Sequence, residues 1–144
     1  KDGYVIAKSV LDPNLVAVMM LFDARFDGVY ACLQDAITAA GMTPQRADDI
    51  WVNDHVIQDV VSLISRAMVV VCDVTGRNPN VFYEMGIAHT LGRNVIILTQ
   101  SDQDVPFDIR SIRYLPYLGN TEGLAALMSS VRERLETLKA RGVN

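Results

Sequence analysis

Apolar residues along this chain follow two patterns that take turns. Short unbroken runs occur at 15–21 (Leu-Val-Ala-Val-Met-Met-Leu), 68–72 (Met-Val-Val-Val-Cys) and 94–99 (Asn-Val-Ile-Ile-Leu-Thr). Runs of that length without polar alternation predict strands covered on both faces, as in a parallel sheet. Weaker strands are predicted at 43–47 and 112–117. Between the strands, apolar positions recur every three or four residues. Phe26, Val29, Tyr30, Leu33, Ile37 and Ala40 predict a helix capped by Asp23 or Asp27 and closed by Gly41. Val56, Ile57, Val60, Leu63 and Ile64 predict a second helix, capped by Asn53 or Asp54. A third begins with Asn78 as cap and Pro79 as first helical residue, whose missing N–H would be unpaired there anyway. It runs to about Leu91, and Gly92 is placed to stop it. Thr121 is the expected cap of a last helix with Leu124, Leu127, Met128, Val131, Leu135 and Leu138 on its apolar face.

Strands that alternate with helices predict an α/β fold with right-handed crossovers. For five strands the expectation is a flavodoxin-like three-layer sandwich, its parallel sheet in the order 2-1-3-4-5, with a switch point between strands one and three. Residues 1–14 read as a lead-in or linker: Tyr4 to Ala7 as a short strand, Leu11-Asp-Pro-Asn14 as a turn. Residues 15–140 read as the domain.

Composition narrows the function classes. A chain of 144 residues, half of them hydrophobic, suits one domain with a proper core. A net charge of −4 gives no general attraction to nucleic acid or to an anionic membrane. No apolar run approaches the ~20 residues of a membrane span, and no signal peptide is visible. The expected setting is cytoplasmic, and two cysteines read as small buried hydrophobes agree with a reducing compartment. With two histidines, His55 and His89, and no cysteine cluster, no metal site and no cofactor are expected. Because the chain starts at Lys1, it is read as a trimmed or excised piece, fused to another domain in a longer protein.

One residue breaks the helical pattern. At ~100° per residue, Glu84 falls between Ala88 and Leu91 on the side of Val81, the arc that should face the sheet. Carboxylates are seldom buried unless paired. Glu84 either belongs to a site or sits at the edge of the arc, pointing to solvent or pairing with Arg77 or Arg93. The polar cluster of Asp73, Thr75, Asn78 and Asn80 favours a site, because open α/β sheets bind ligands in the crevice at the carboxyl ends of their strands. The same crevice is expected to gather Phe22, Asp23, Asp48 and Asp49. There is no Walker-type loop, no Gly-x-Gly-x-x-Gly after a strand, and no Ser or Cys with a local His partner. What remains is a carboxylate-centred site, the equipment of glycosidic chemistry.

The segment Asp73-Val-Thr-Gly-Arg-Asn-Pro-Asn-Val-Phe-Tyr-Glu84-Met-Gly-Ile-Ala-His-Thr-Leu-Gly-Arg-Asn-Val-Ile resembles the core of the nucleoside 2-deoxyribosyltransferase-like superfamily. The likeness extends to Phe22-Asp-Ala-Arg-Phe-Asp27, Arg46-Ala-Asp-Asp-Ile50 and Asp104-Val-Pro-Phe-Asp-Ile-Arg110. It is greatest to the bacterial branch associated with signalling and defence proteins, which is TIR-like in architecture. The resemblance implies Glu84 as a nucleophile at an anomeric carbon, with Asp73 holding the substrate. The reaction would be N-glycosidic cleavage of a nucleoside, nucleotide or NAD, with water or a second base as acceptor. A homo-oligomer is expected from the loop Gln100 to Arg110, which mixes Val105, Pro106 and Phe107 with charges and is long enough to shape a pocket, and from the strongly apolar Glu84 helix (Phe82, Met85, Ile87); the resemblance agrees, since related enzymes complete their pockets across subunits. Asn80, Val81, Phe82 and Tyr83 stand where characterised transferases carry a run of small residues before the Glu. The alternative is therefore a nucleotide-sensing module of a signalling or defence protein, using the same crevice without turnover.

Overall fold

The computed structural model describes residues 10–46, 56–106 and 113–142. Its centre is a parallel sheet of five strands: β1 (Asp12–Met19), β2 (Thr43–Arg46), β3 (Ala67–Asp73), β4 (Asn94–Thr99) and β5 (Tyr114–Pro116). Their order is β2-β1-β3-β4-β5, as the alternation of runs and periods predicts. Every residue of β3 is buried, which accounts for its unbroken apolar sequence. The helices are α1 (Asp27–Ala39), α2 (Val56–Arg66), α3 (Pro79–Thr90) and α4 (Thr121–Arg141).

Side chains of the sheet alternate between two cores. Val16 and Val18 of β1, Val69 and Val71 of β3, and Ile96 and Leu98 of β4 meet α1 and α4. Ala17, Met19, Val70, Cys72 and Ile97 meet the other layer, with Val60, Leu63 and Ile64 of α2 and Val81, Met85 and Ala88 of α3. The period of two in a strand makes this division, and the period of 3.6 in each helix supplies one apolar stripe to close it.

The ends of the elements differ from expectation in three places. β1 begins at Asp12, inside the stretch read as a turn. Asp12 pairs with Ala67, and the register then shifts before Val16 pairs with Val69. Pro13 lies in that irregular stretch, where its lack of a donor interrupts no regular ladder. The cap of α4 is Asn120 rather than Thr121: Asn120 is extended, and its side-chain oxygen accepts from the Gly123 N–H at 2.7 Å. Asp23 does cap a helical turn, but a 3-10 one (Ala24–Phe26), and α1 follows from Asp27 without a side-chain cap of its own. Asn78 caps α3 as expected, accepting from Asn80 N at 2.8 Å and Val81 N at 3.3 Å, and Gly92 follows the helix at φ 73°. The expected strand at Tyr4 to Ala7 and the caps Asn53 and Asp54 lie outside the described residues.

Two glycines inside helices are in opposite situations. A Cβ on Gly123 would run into the Leu118 carbonyl, whereas one on Gly86 would meet nothing within 4 Å. Gly123→Ala should therefore lower stability by about 1–3 kcal/mol through overpacking. Gly86→Ala should raise it by about 1 kcal/mol, the helix-propensity difference. Urea denaturation midpoints of the two variants, moving in opposite directions from wild type, are the expected result.

Candidate functional site

The carboxyl end of β3 carries the site, and it is built around Asp73. By strand alternation Asp73 follows Val69 and Val71 and so turns toward the α1/α4 layer. It is 2% exposed. Its Oδ1 accepts from the Thr75 N–H at 3.0 Å and from the Thr75 hydroxyl at 2.6 Å, and its Oδ2 accepts from the Tyr117 hydroxyl. Gln100 extends this network twice. Its side-chain amide donates to the Tyr117 oxygen at 3.2 Å, and its backbone N–H donates to Thr75 Oγ1 at 3.0 Å. Segments that follow β3, β4 and β5 are thus joined through one buried carboxylate.

Burial pushes the Asp73 carboxyl above its ordinary value, against the lowering effect of the Thr75 and Tyr117 donors; the charge of Asp104 adds to the rise. Burial also raises the Tyr117 phenol, and the charge of Asp73 acts in the same direction.

The loop from Val74 to Asn78 is held in a tight shape by two residues in the left-handed region, Gly76 at φ 83° and Arg77 at φ 57°. It is tied to the 3-10 turn Asp102–Asp104 that follows β4. Gly76 N donates to Asp104 Oδ2 at 2.9 Å, Arg77 Nε lies 3.5 Å from Asp104 Oδ1, and the Arg77 guanidinium donates to the Gln103 carbonyl. The loop delivers the chain to Asn78, whose Oδ1 is occupied by the α3 cap, while Asn80 is exposed in the first turn.

Glu84 is 3% exposed and lies on the buried side of α3 with Val81, Met85 and Ala88. Both Glu84 and Asp73 act on the Cys72 thiol, whose pKa is raised chiefly by burial and further by these two charges. The two carboxylates thus flank the end of β3, but from different layers: Asp73 on the α1/α4 side, Glu84 from α3.

Phe22 and Asp23 follow β1. Phe22 is 72% exposed. The Arg46 guanidinium, at the end of β2, lies 5.2 Å from the centre of its ring and 4.6 Å from that of Tyr30, a buried cation held against two aromatic faces. Asp23 accepts from Arg25 N at 2.9 Å and pairs with the Arg25 side chain at 3.1 Å, and these contacts hold its carboxyl below the ordinary value. Asp48 and Asp49 lie outside the described residues, among which no group of three His, Cys, Asp or Glu is arranged to hold a metal. No described helix is long and apolar enough to cross a membrane.

A cleft of about 270 Å³ opens beside this network, lined among others by Arg25, Gly28, Val29, Thr75, Gln100 and Leu124. Of the residues expected at the site, Thr75 lines it. Gln100 lines it as well, while Tyr117 and Asp104, which join the network around Asp73 and Gly76, and Arg46, at the end of β2, were not singled out as site residues. Gln100 and Asp104 fall in a loop whose length and mixed character mark it as pocket-forming, and Arg46 falls in a charged cluster at a strand end. Tyr117 carries no local signal, since its partner Asp73 is 44 residues away.

No family model and no curated protein matches the chain. Its fold is shared with a 2-desoxiribosyltransferase from Leishmania mexicana: the match has a TM-score of 0.59 at 10% sequence identity and covers 81% of this chain and 98% of that one. At that identity the likeness is one of architecture, and it agrees with the five-stranded flavodoxin-like sandwich described above.

Because Asp73 titrates above 3.8 in the folded state, the native protein retains a proton that the unfolded chain has released between the two values. The contribution of Asp73 to stability is then fully present below the ordinary value and lost as pH rises through the folded one. Asp73→Asn removes this dependence. Urea denaturation between pH 4 and 7 should show wild type losing ground to Asp73→Asn as pH increases; a difference independent of pH would contradict the assignment.

Proposed function

We propose that the chain belongs to the nucleoside 2-deoxyribosyltransferase-like superfamily and cleaves the N-glycosidic bond of a nucleoside, nucleotide or NAD-type substrate. The observation that carries the reading is Glu84, a carboxylate buried in the apolar stripe of α3 and close enough to the end of β3 for its charge to act on Cys72. Carboxylates are seldom so deeply buried, and one beside a crevice is a candidate for function. The shared fold with a deoxyribosyltransferase supports the same chemistry.

In this reading a Glu84 oxygen attacks the anomeric carbon, the C–N bond breaks, and the base leaves with the bonding electrons and takes up a proton. The resulting glycosyl ester is opened by water, in a hydrolase, or by a second base, in a transferase, and the carboxylate is restored. The Asn78 Oδ1 is engaged in the cap, so its NH₂ group, with Asn80 and the start of α3, is what remains for a substrate phosphate. Asp73, Phe22 and Asp23 stand around the same strand ends, and Asp48 and Asp49 follow β2. No metal or cofactor takes part. Two free, buried cysteines suit a cytoplasmic setting.

A second reading has a specific observation behind it. Glu84 is 3% exposed, and Phe82 and Tyr83 precede it where a sugar would approach. A nucleotide-sensing module of a signalling or defence protein would keep this fold without turnover.

Glu84→Gln separates the two. It preserves shape and removes the attacking charge, so base release followed by chromatography should fall by orders of magnitude while ligand binding persists. The thermal melt should stay level or rise, because a carboxylate no longer has to be desolvated. A lower melt with activity falling only in step would make Glu84 a structural residue. No base released by wild type from any of the three substrate classes would favour the sensing module.

We also propose a homo-oligomer. On α3, Tyr83 is 53% exposed, and Phe82 and Ile87 are incompletely covered although Met85 is buried. Sedimentation at micromolar concentration should show an assembly; a lone monomer would remove the idea.

A further inference from the structure

We propose that Tyr117 is a positioning residue of the crevice, acting through Asp73 and Gln100 to fix the polar groups that Thr75 and Gln100 present to the cleft. The inference rests on the reading of this crevice as the substrate site, and it changes the part played by Asp73 within it.

Three observations carry it. First, Asp73 is enclosed. Its Oδ1 takes two donors from Thr75, its Oδ2 takes the Tyr117 hydroxyl, and 2% exposure leaves no surface for a ribose hydroxyl to approach. A carboxylate so engaged works as an acceptor inside the protein. Second, the network leads outward through Thr75 and through Gln100, which is bonded to Thr75 and Tyr117. Thr75 and Gln100 line the cleft. Third, the bonds close a ring: Asp73 to Thr75, Thr75 to the Gln100 backbone, the Gln100 side chain to Tyr117, and Tyr117 back to Asp73.

The directions of the bonds are determined by chemistry. An ionised carboxylate only accepts, so with Asp73 as the anion the Tyr117 hydroxyl spends its single proton on it. Its oxygen is then obliged to act as acceptor toward Gln100, which turns the Gln100 NH₂ inward and orients its carbonyl oxygen. The Thr75 hydroxyl likewise spends its proton on Asp73 and accepts from the Gln100 N–H. Tyr117 thereby decides which atoms of the cleft wall are donors and which are acceptors, without touching a ligand itself. Losing the hydroxyl frees the Gln100 amide to flip or swing and leaves one Asp73 oxygen unpaired. Gly119 adds to the constraint: a Cβ there would lie 3.0 Å from Gln100 Oε1, so the chain just after Tyr117 also confines that side chain.

The test is Tyr117→Phe, which keeps the ring in its buried place. With a substrate that wild type cleaves, KM should rise about tenfold or more with kcat nearly unchanged, the mark of lost binding common to the ground and transition states. Gln100→Met should show the same split, and the double variant should be little worse than Gln100→Met alone, because both changes break one ring. Wild-type KM in Tyr117→Phe, or effects that simply add, would overturn the proposal.

A second measurement does not depend on turnover. Amide hydrogen exchange in Tyr117→Phe should quicken about tenfold or more at Thr75 and Gln100, with the amides of α1 and α2 unchanged. Uniform quickening, or none, would overturn the proposal by itself. Failure of wild type to release base would count against the catalytic reading only, since the exchange result stands or falls separately.

Discussion

A carboxylate at the end of a wholly buried strand has to find its hydrogen bonds within the protein, and much of this architecture follows from that requirement. Asp73 continues β3 out of an apolar core, where an uncompensated charge would be very costly. Thr75 supplies two donors from two residues downstream, which bends the chain sharply as it leaves the strand. Tyr117 supplies the third from beyond β5, with Gln100 beside it. Parallel strands have no short connections to hold their carboxyl ends together. Here the demand of one anion draws the segments after β3, β4 and β5 to a common point. The loop that starts α3, fastened again through Gly76 and Arg77 to Asp104, is shaped by the same convergence.

Much of this was legible in the sequence. Short apolar runs rich in β-branched residues at 68–72 and 94–99, and the run at 15–21, pointed to strands covered on both sides, and Asn78-Pro79 and Gly92 bracketed α3 through their backbone chemistry. The misses have local reasons. Asp12-Pro13-Asn14 has the composition of a turn, but β1 reaches it because Asp12 can still pair with Ala67 across a shift of register. Asn120 and Thr121 are both competent caps, and adjacent competent caps cannot be ranked from composition. The site was harder to read. Glu84 stands out against its helical period, and burial at 3% confirms that the misfit was real. Its relation to Asp73 needed the fold, because strand parity sends Asp73 toward α1 and α4 while the crossover carries α3 to the opposite layer. Tyr117 could not be found at all: an aromatic residue at the end of a weak strand looks like core until its hydroxyl is seen to reach a carboxylate.

Arg46 shows a different solution to buried charge. Where Asp73 is satisfied by hydroxyls, the guanidinium lies against the π faces of Tyr30 and Phe22, and the exposed ring of Phe22 is steadied by it. The carboxyl edge of the sheet therefore carries the buried Arg46 at the end of β2 and the buried Asp73 at the end of β3.

The division of the core between two layers has a consequence for how the protein is made. The buried residues of the α2/α3 face end at Val105, with Tyr114 added at its edge, so most of it can close while the chain is still being extended. The opposite face cannot. Val16, Val18, Val69 and Val71 wait for Leu127, Val131, Leu135 and Leu138 of α4, the last element described. Tyr117 also arrives after β4 is in place. A nascent chain released to about residue 105 thus carries one nearly finished surface and one open apolar one, with the Asp73 carboxylate still lacking its third donor. During synthesis that open surface is where a chaperone would be needed and where a stalled product would aggregate.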